Sequence, residues 1–432
     1  MHGEWVPPLC FQTTWETPHA CDHHRKLAIK IVQDVLCKGC PSTHKARLRA
    51  LLDATRAALH ASSHTLSNLA RALEGGSAVR HRVKRMDRLL GNGSLQRECA
   101  TVYAAMARHW LRGNTMPLMV VDWSDLNACR SAQLIRASVA LEGRSLTLFE
   151  QVHSMKAATT PAVHQAFLYR VKTMLPEGCQ PIVITDAGFR SSWFRAVESL
   201  GWHWVGRVRN RDLVREHNQA SSPLSPLSPW QHCKMLYAKA SATPLDLGLF
   251  DCVRNHPHVR RLITVKHAPK GRHMHTQQAP HARARSNQSE KHARAQDEPG
   301  LLAASTTLAH LSASAIVNIY ARRMQIEQAF RDTKNARFGL GLSRSGSRSC
   351  ARLTVLALIA SLAEFVLRLI GQCAINHGLQ YDLQLTNRRS RPEISVIRVG
   401  MLMIQSALDS FNAEAFRRTM KSWAAPHHAL QI

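Results

Sequence analysis

The sequence predicts a mixed α/β protein in which a central sheet is bounded by helical regions at both ends. Three observations predict it. Residues 117–123 and 181–185 are nearly continuous apolar runs, as expected of strands buried on both faces. Two further strand candidates, 134–141 and 145–152, lie between them around a Glu142-Gly143-Arg144 turn. Segments with helical spacing alternate with these strands and extend beyond them. With 432 residues, the chain has the length for two to four structural units and a sizeable core.

The elements follow in order. Residues 1–115 are read as a helical N-terminal region. Leu66, Leu69 and Leu73 keep helical spacing, Gly75 and Gly76 break it, and Val79, Val83, Met86 and Leu90 resume it. The second of these helices interleaves its apolar stripe with Arg80, Arg82, Lys84, Arg85 and Arg88. That face would lie along DNA phosphates or in a groove; the plainer alternative is a solvated basic face. Residues 116–210 form the first part of the sheet core: the strands named above, a helix over 161–174, a strand ending just before Asp186, a helix over 191–200 and a strand over 202–208.

Regularity dissolves over 211–299. Residues 254–296 hold ten Lys or Arg, seven His and a single acid, Glu290. Such a segment is either a flexible surface loop or a partly β-stranded arm reaching along DNA, with Lys270 and Arg272 among its candidate contacts. Residues 300–375 return to order, with one helix over about 314–335 and another over 350–371. The tail, 376–432, has helical spacing over 396–420 and no residue that suggests chemistry.

Composition narrows the partner. Lys and Arg number 57 against 29 Asp and Glu, giving a net charge of +28, which favours a polyanion, with double-stranded DNA first and an anionic membrane second. The most apolar stretch, 353–363, sits between Arg352 and Glu364 and is shorter than the roughly 20 residues that span a bilayer, so it is read as a core helix. The N-terminus shows no basic segment followed by an apolar run, and the cytoplasm is the expected location. Eleven scattered cysteines suit reduced thiols. Cys37 and Cys40, with Cys21, His23, His24 and His44 nearby, could assemble four zinc ligands, but no second close pair follows and ordinary thiols are the preferred reading.

Carboxylates carry the chemistry. Asp122 and Asp186 each terminate an apolar strand run, where open α/β sheets bind ligands. If the strands are neighbours, the two side chains converge, and close carboxylates require a compensating cation. A third acid would complete an oxygen site suited to Mg²⁺ or Mn²⁺. Glu327 is that candidate. On a continuous helix with Glu327 at zero, Tyr320 falls at about +20°, Arg323 at about −40° and Lys334 at about −20°, one polar stripe about 20 Å long. Phe330, Ile319 and Ile326, between about −60° and −100°, would anchor the helix on the sheet. Glu327 would then ligate metal while Arg323, Lys334 and Tyr320 hold phosphates; the alternative is a solvated face with a Glu327–Arg323 ion pair.

Tyr320, Arg323, Glu327 and Lys334 follow the spacing Tyr, two residues, Arg, three residues, Glu, six residues, Lys. In this, and in Val121-Asp122-Trp123-Ser124-Asp125, Thr185-Asp186-Ala187-Gly188-Phe189 and the stretch from Val83 to Asn92, the chain resembles DDE transposases of bacterial insertion-sequence family four, from about residue 40 to 400. The resemblance implies an RNase H-like core interrupted by a β-rich insertion, an N-terminal DNA-end-binding domain, and catalysis by Asp122, Asp186 and Glu327 with two Mg²⁺ ions, Mn²⁺ substituting. It implies cut-and-paste transposition through a hairpin intermediate, 3′-end strand transfer, a homodimer holding transposon ends and target, and a nucleoid-associated bacterial enzyme. Tyr320, Arg323, Lys334 and Arg207 would contact terminal phosphates. Asp125 and Asp87 are neighbouring acids expected to serve local hydrogen bonding instead. Where relatives carry Glu-Pro-Trp, this chain reads Glu298-Pro299-Gly300, and Gly300 cannot stack on an extruded base. An impaired derivative that binds element ends without cutting is therefore the alternative, and a nuclease that cuts without joining a third.

Overall fold

The computed structural model describes residues 18–127, 129–141, 143–209, 212–217, 228–268, 287, 298–337, 339–387, 389, 393–406 and 411–425. Lys270 and Arg272 lie outside them. At the centre is a ten-stranded mixed sheet in the order β3-β2-β1-β4-β5-β10-β9-β8-β6-β7. Its first half comprises β1 (Leu118–Asp125), β2 (Ala132–Ala140), β3 (Ser145–Ser154), β4 (Ile182–Thr185) and β5 (His203–Val208). β1 runs antiparallel to β2 and parallel to β4, and β4 runs parallel to β5. The mixed α/β expectation is met, with strand bounds shifted by at most two residues.

One strand end differs from expectation. β1 does not stop at Asp122; its parallel pairing to β4 ends at Val120–Ile184, while antiparallel pairing to β2 continues from Asp122–Arg136 to Asp125–Gln133. Asp122 thus projects beyond the end of β4 on a strand that β2 keeps extended, a continuation that apolar content alone does not encode.

The segment read as irregular is largely sheet where described. β6 (Leu213–Glu216), β7 (Gln231–His232), β8 (Leu245–Cys252), β9 (His258–Val265) and β10 (Gly300–Ala304) extend the sheet from β5. Arg260 and Arg261, two of the arm's basic residues, are buried: Arg261 donates to Asp246 and to the carbonyls of Leu308 and Leu311, and Arg260 lies over the Phe194 and Trp204 rings. They are structural and do not reach outward. The Arg pair obscured the strand's alternation in sequence.

Helices cover both faces. α1 (Pro18–Gly39), α2 (Lys45–His60), α3 (Leu66–Ala72), α4 (Val79–Leu90) and α5 (Gly93–Trp110) precede the sheet. The break between α3 and α4 falls at the two glycines, and Gly75 has φ 116°, a value that suits a residue without Cβ. Val79, assigned to the apolar stripe, is 41% exposed, whereas Met86 and Leu90 are buried as expected. α6 (Pro161–Met174) has the bounds its sequence predicts, because Thr160 caps it and proline occupies its first turn. α7 (Ser191–Ser199) follows β4.

The predicted single helix over 314–335 is two, α8 (Ala313–Ala321) and α9 (Met324–Lys334). Between them the amides of Arg322, Arg323, Gln325 and Ile326 each bond to a carbonyl three residues back, tightening the chain into a 3-10 turn. A single polar stripe requires an unbroken α-helix, so the expected angles do not hold across Arg323. The anchoring residues do hold: Ile319, Ile326 and Phe330 are all buried.

α10 (Cys350–Asn376) is longer than expected and passes through Glu364 and Arg368. At 27 residues it is long and apolar enough to cross a bilayer, but 94% of its apolar window is buried inside the protein. Both charges are accommodated internally: Arg368 donates to the carbonyls of Ser145 and Arg144, and Glu364 accepts from Thr333. Gly371 is a packing residue and does not end the helix. A Cβ there would lie 2.0 Å from the Val396 carbonyl oxygen, where α10 crosses α11 (Val396–Gln405). The tail's one helical stretch is likewise divided, into α11 and α12 (Ala413–Ala424). α1, α2, α5, α11 and α12 all pack on α10, so the terminal helices and the sheet share one hydrophobic core.

Candidate active site

Strand alternation sorts the residues of β1. Asp122, Arg136 on β2 and Glu150 on β3 stand in register and face α9 and α10, while Trp123 faces α6. The carboxylate-bearing turn after β4 is held by Asp186 itself, whose Oδ1 accepts the Gly188 amide at 2.8 Å. Asp122 is held likewise, with Oδ1 accepting the Trp123 amide at 2.8 Å.

Glu327 arrives on the first turn of α9. The 3-10 turn brings Arg323 back toward β1, so that its guanidinium donates to Asp122 Oδ2 at 3.4 Å and to Glu327 Oε1 at 2.5 Å. Burial, followed by the charge of Asp186 and to a lesser degree that of Glu327, pushes the Asp122 carboxyl up to about 7; Arg323 and the Trp123 amide oppose the shift. Asp122 is thus coupled to Asp186 on one side and Glu327 on the other. Among the described residues no three acid, histidine or cysteine side chains form a ready-made cage for one ion.

The other predicted residues divide into two groups. Burial raises the Tyr320 phenol, which feels Arg323, Arg207, Asp186 and Arg209, so Tyr320 and Arg207 share this neighbourhood. Lys334, at the far end of α9, donates to Ser124 Oγ at 2.6 Å and the Asp125 carbonyl at 3.1 Å, and burial lowers its pKa. By contrast, Arg80, Lys84, Arg85 and Arg88 are exposed on α4, which packs on α2, α3 and α10. Arg85 pairs with Asp53, and Arg88 bonds the Lys84 carbonyl at 3.4 Å. The neighbouring acids are engaged locally, Asp125 by Gln133 and Arg130, Asp87 by Arg352. Gly300 opens β10 opposite Val265, whose Cγ1 a Cβ there would meet at 3.4 Å.

Sequence reasoning missed Arg136. Fully buried, it donates to Glu150 at 2.6 Å and to Thr333 on α9 at 3.1 Å, and stacks over Phe330 at 4.8 Å. It therefore ties the Asp122 ladder to the Glu327 helix. A lone Arg in the apolar β2, with a lone Glu in β3, was the available signal, since unpaired charge is rarely buried. Ser124, the Lys334 acceptor, gave none. In the Cys37–Cys40 region, Cys40 donates to the Thr101 carbonyl where α1 packs on α5, and burial raises its thiol to about 11.

The sequence matches the family described as transposase DDE domain over residues 113–363, a span that includes Asp122, Asp186 and Glu327. The chain belongs to the DDE transposase family. Its activity is that of a transposase, cleaving DNA and transferring strands in DNA transposition, and the family uses divalent metal ions. No curated protein matches it. Among solved structures it is similar to a cryo-EM structure of the piggyBac transposase synaptic complex with hairpin DNA, at 10% identity, covering 93% of this chain and 82% of that chain with a TM-score of 0.39, a likeness too loose to bear on mechanism.

Proposed function

We propose that this is a cut-and-paste transposase of the insertion-sequence family-four type, built on an RNase H-like core, with Asp122, Asp186 and Glu327 as its catalytic carboxylates. The observation that supports this most is that Arg323 bridges Asp122 and Glu327 while the charge of Asp186 acts on the same Asp122 carboxyl. Asp122, Asp186 and Glu327 form an all-oxygen donor set, and the raised Asp122 carboxyl marks negative charge that a hard divalent ion would compensate. Two Mg²⁺ ions, with Mn²⁺ as substitute, would be held there and would supply Lewis acidity at the scissile phosphate.

The chain's own residues do the rest. Arg323 releases the carboxylates and, with Tyr320, Arg207 and Lys334, holds the phosphates flanking the scissile bond, keeping attacking and leaving oxygens in line. Each reaction is a displacement at phosphorus: hydrolysis at the element end, hairpin formation, hairpin opening and 3′-end joining differ only in which oxygen attacks. Arg80, Lys84, Arg85 and Arg88 grip the duplex further out. Residues 1–115 serve as the DNA-end-binding domain, 116–210 and 300–375 as the catalytic core, 211–299 as the insertion and 376–432 as the tail. A homodimer in the bacterial cytoplasm holds two ends together. Because Gly300 offers no ring, another aromatic side chain would support any extruded base.

Incubating the protein with Mg²⁺ and a duplex carrying the element's own terminal repeat tests this. Nicks, hairpins and joined products that disappear in Glu327→Gln are expected. Specific binding without cleavage by the parent protein would instead establish an end-binding derivative, and cleavage without joining would establish a nuclease.

A further inference from the structure

The two aspartates belong to segments that meet on the opposite face of the sheet. Trp123, next to Asp122, points toward α6, and Phe189, three residues after Asp186, points the same way. His164 on α6 touches both. Its Nε2 lies 3.0 Å from Trp123 Nε1, and its ring stacks on Phe189 with centroids 5.2 Å apart and planes 27° apart. Trp193 closes the cluster, edge-on to His164 at 5.1 Å and tilted against Phe189 at 4.6 Å.

The chemistry of this contact has one polarity. An indole N–H can only donate, so His164 Nε2 must accept and the imidazole is neutral with its proton on Nδ1. Burial, with His153 nearby, agrees, lowering His164 to about 4. Each anchored ring in turn belongs to the segment that holds a carboxylate: the Trp123 amide bonds Asp122, and the Gly188 amide, next to Phe189, bonds Asp186. Moving either ring moves the amide that orients the acid.

We propose that His164 is a positioning residue that sets the spacing and orientation of Asp122 and Asp186, and through them the affinity for divalent ions. This rests on the reading of those aspartates as metal ligands. Groups hydrogen-bonded to metal ligands typically change affinity by roughly 10–100-fold when replaced, and His164 acts one contact further out, so the lower end of that range is expected. The role differs from bulk packing because it depends on one acceptor atom.

The test is calorimetric titration of the full-length, DNA-free protein with Mn²⁺, alongside thermal melting. His164→Leu and Trp123→Phe are each expected to weaken Mn²⁺ binding by about tenfold. The two together should be no weaker than either alone, and His164→Gln, whose amide oxygen can accept from the indole, should recover most of the parent affinity. Parent-like affinity in His164→Leu would overturn the proposal, as would equal weakening in the Leu and Gln variants, which marks packing. Should His164→Leu fail to fold, Trp123→Phe against His164→Gln makes the same decision. Asp122→Asn is the control: if it binds Mn²⁺ as the parent does, the ligand assignment itself is wrong, independently of His164.

Discussion

Arg323 lies between Asp122 and Glu327, residues that belong to different elements, and donates to both carboxylates. The guanidinium supplies positive charge to both acids, and it sits at the tight turn that separates α8 from α9.

Arg323→Ala should therefore destabilise the protein in chelator at pH 8 by about 1–2 kcal/mol, less than the roughly 3–5 of a fully buried pair because Glu327 is 37% exposed. Thermal melts with and without Mg²⁺ check this. The ion should raise the melting temperature more in the variant than in the parent, where it must displace the guanidinium.

Glu327→Gln keeps the size of the side chain and removes its charge. Strand cleavage should fall by at least about a thousandfold, the scale expected when a group acting on the developing charge is lost. Duplex binding, read by fluorescence anisotropy, should change less than threefold.

Lys334→Met removes a cation whose ammonium reaches β1 through Ser124 and the Asp125 carbonyl. Terminal-repeat binding should weaken, and the slope of log affinity against log salt should drop by about one phosphate contact, roughly 0.9. An unchanged slope would place Lys334 in structure alone.

Arg80, Lys84 and Arg88 are exposed on α4, so replacing all three with Ala should leave stability within about 0.5 kcal/mol. If this face lies on DNA, the salt slope falls by up to about three contacts for any duplex sequence. Arg85 is left in place because it pairs with Asp53.

Glu364 gives the pH dependence. Burial pushes its carboxyl from 4.5 up to about 7, against the pull of Arg136. A raised carboxyl means the folded state holds a proton that the unfolded state has released between about pH 4.5 and 7. Its contribution is therefore present below that window and lost as pH rises through it, on the order of 3 kcal/mol. Denaturant titrations at pH 5 and pH 8 should show the difference, and Glu364→Gln should reduce it.

Much of this architecture was legible because its signals are local. The α6 bounds follow from Thr160 and Pro161, the break before α4 from Gly75 and Gly76, and β4 from an uninterrupted apolar run that stops at Thr185. The Tyr320, Arg323, Glu327 and Lys334 spacing marked the residues near the site before their geometry was known. Less legible were elements in which polar residues are buried through distant partners. β9 was hidden by Arg260 and Arg261, and α10 continues past its expected end at Gly371 to Asn376 because nothing nearby in sequence indicates that this glycine packs against the Val396 carbonyl.

By itself the sequence determined the type of nearly every element up to β5, the basic character that calls for a polyanion, and the three acids proposed to carry the chemistry, since each is written in residue spacing over one or two turns or strands. Only the tertiary structure decided that Arg323 stands between Asp122 and Glu327, that Arg136 registers β1 against α9, and that His164 joins the two aspartate segments. Those relationships depend on strand order and on a helix broken at one turn. Arg323 meets Asp122 across 201 positions of chain, and a contact at that separation is set by how whole layers pack and by no pattern along the chain.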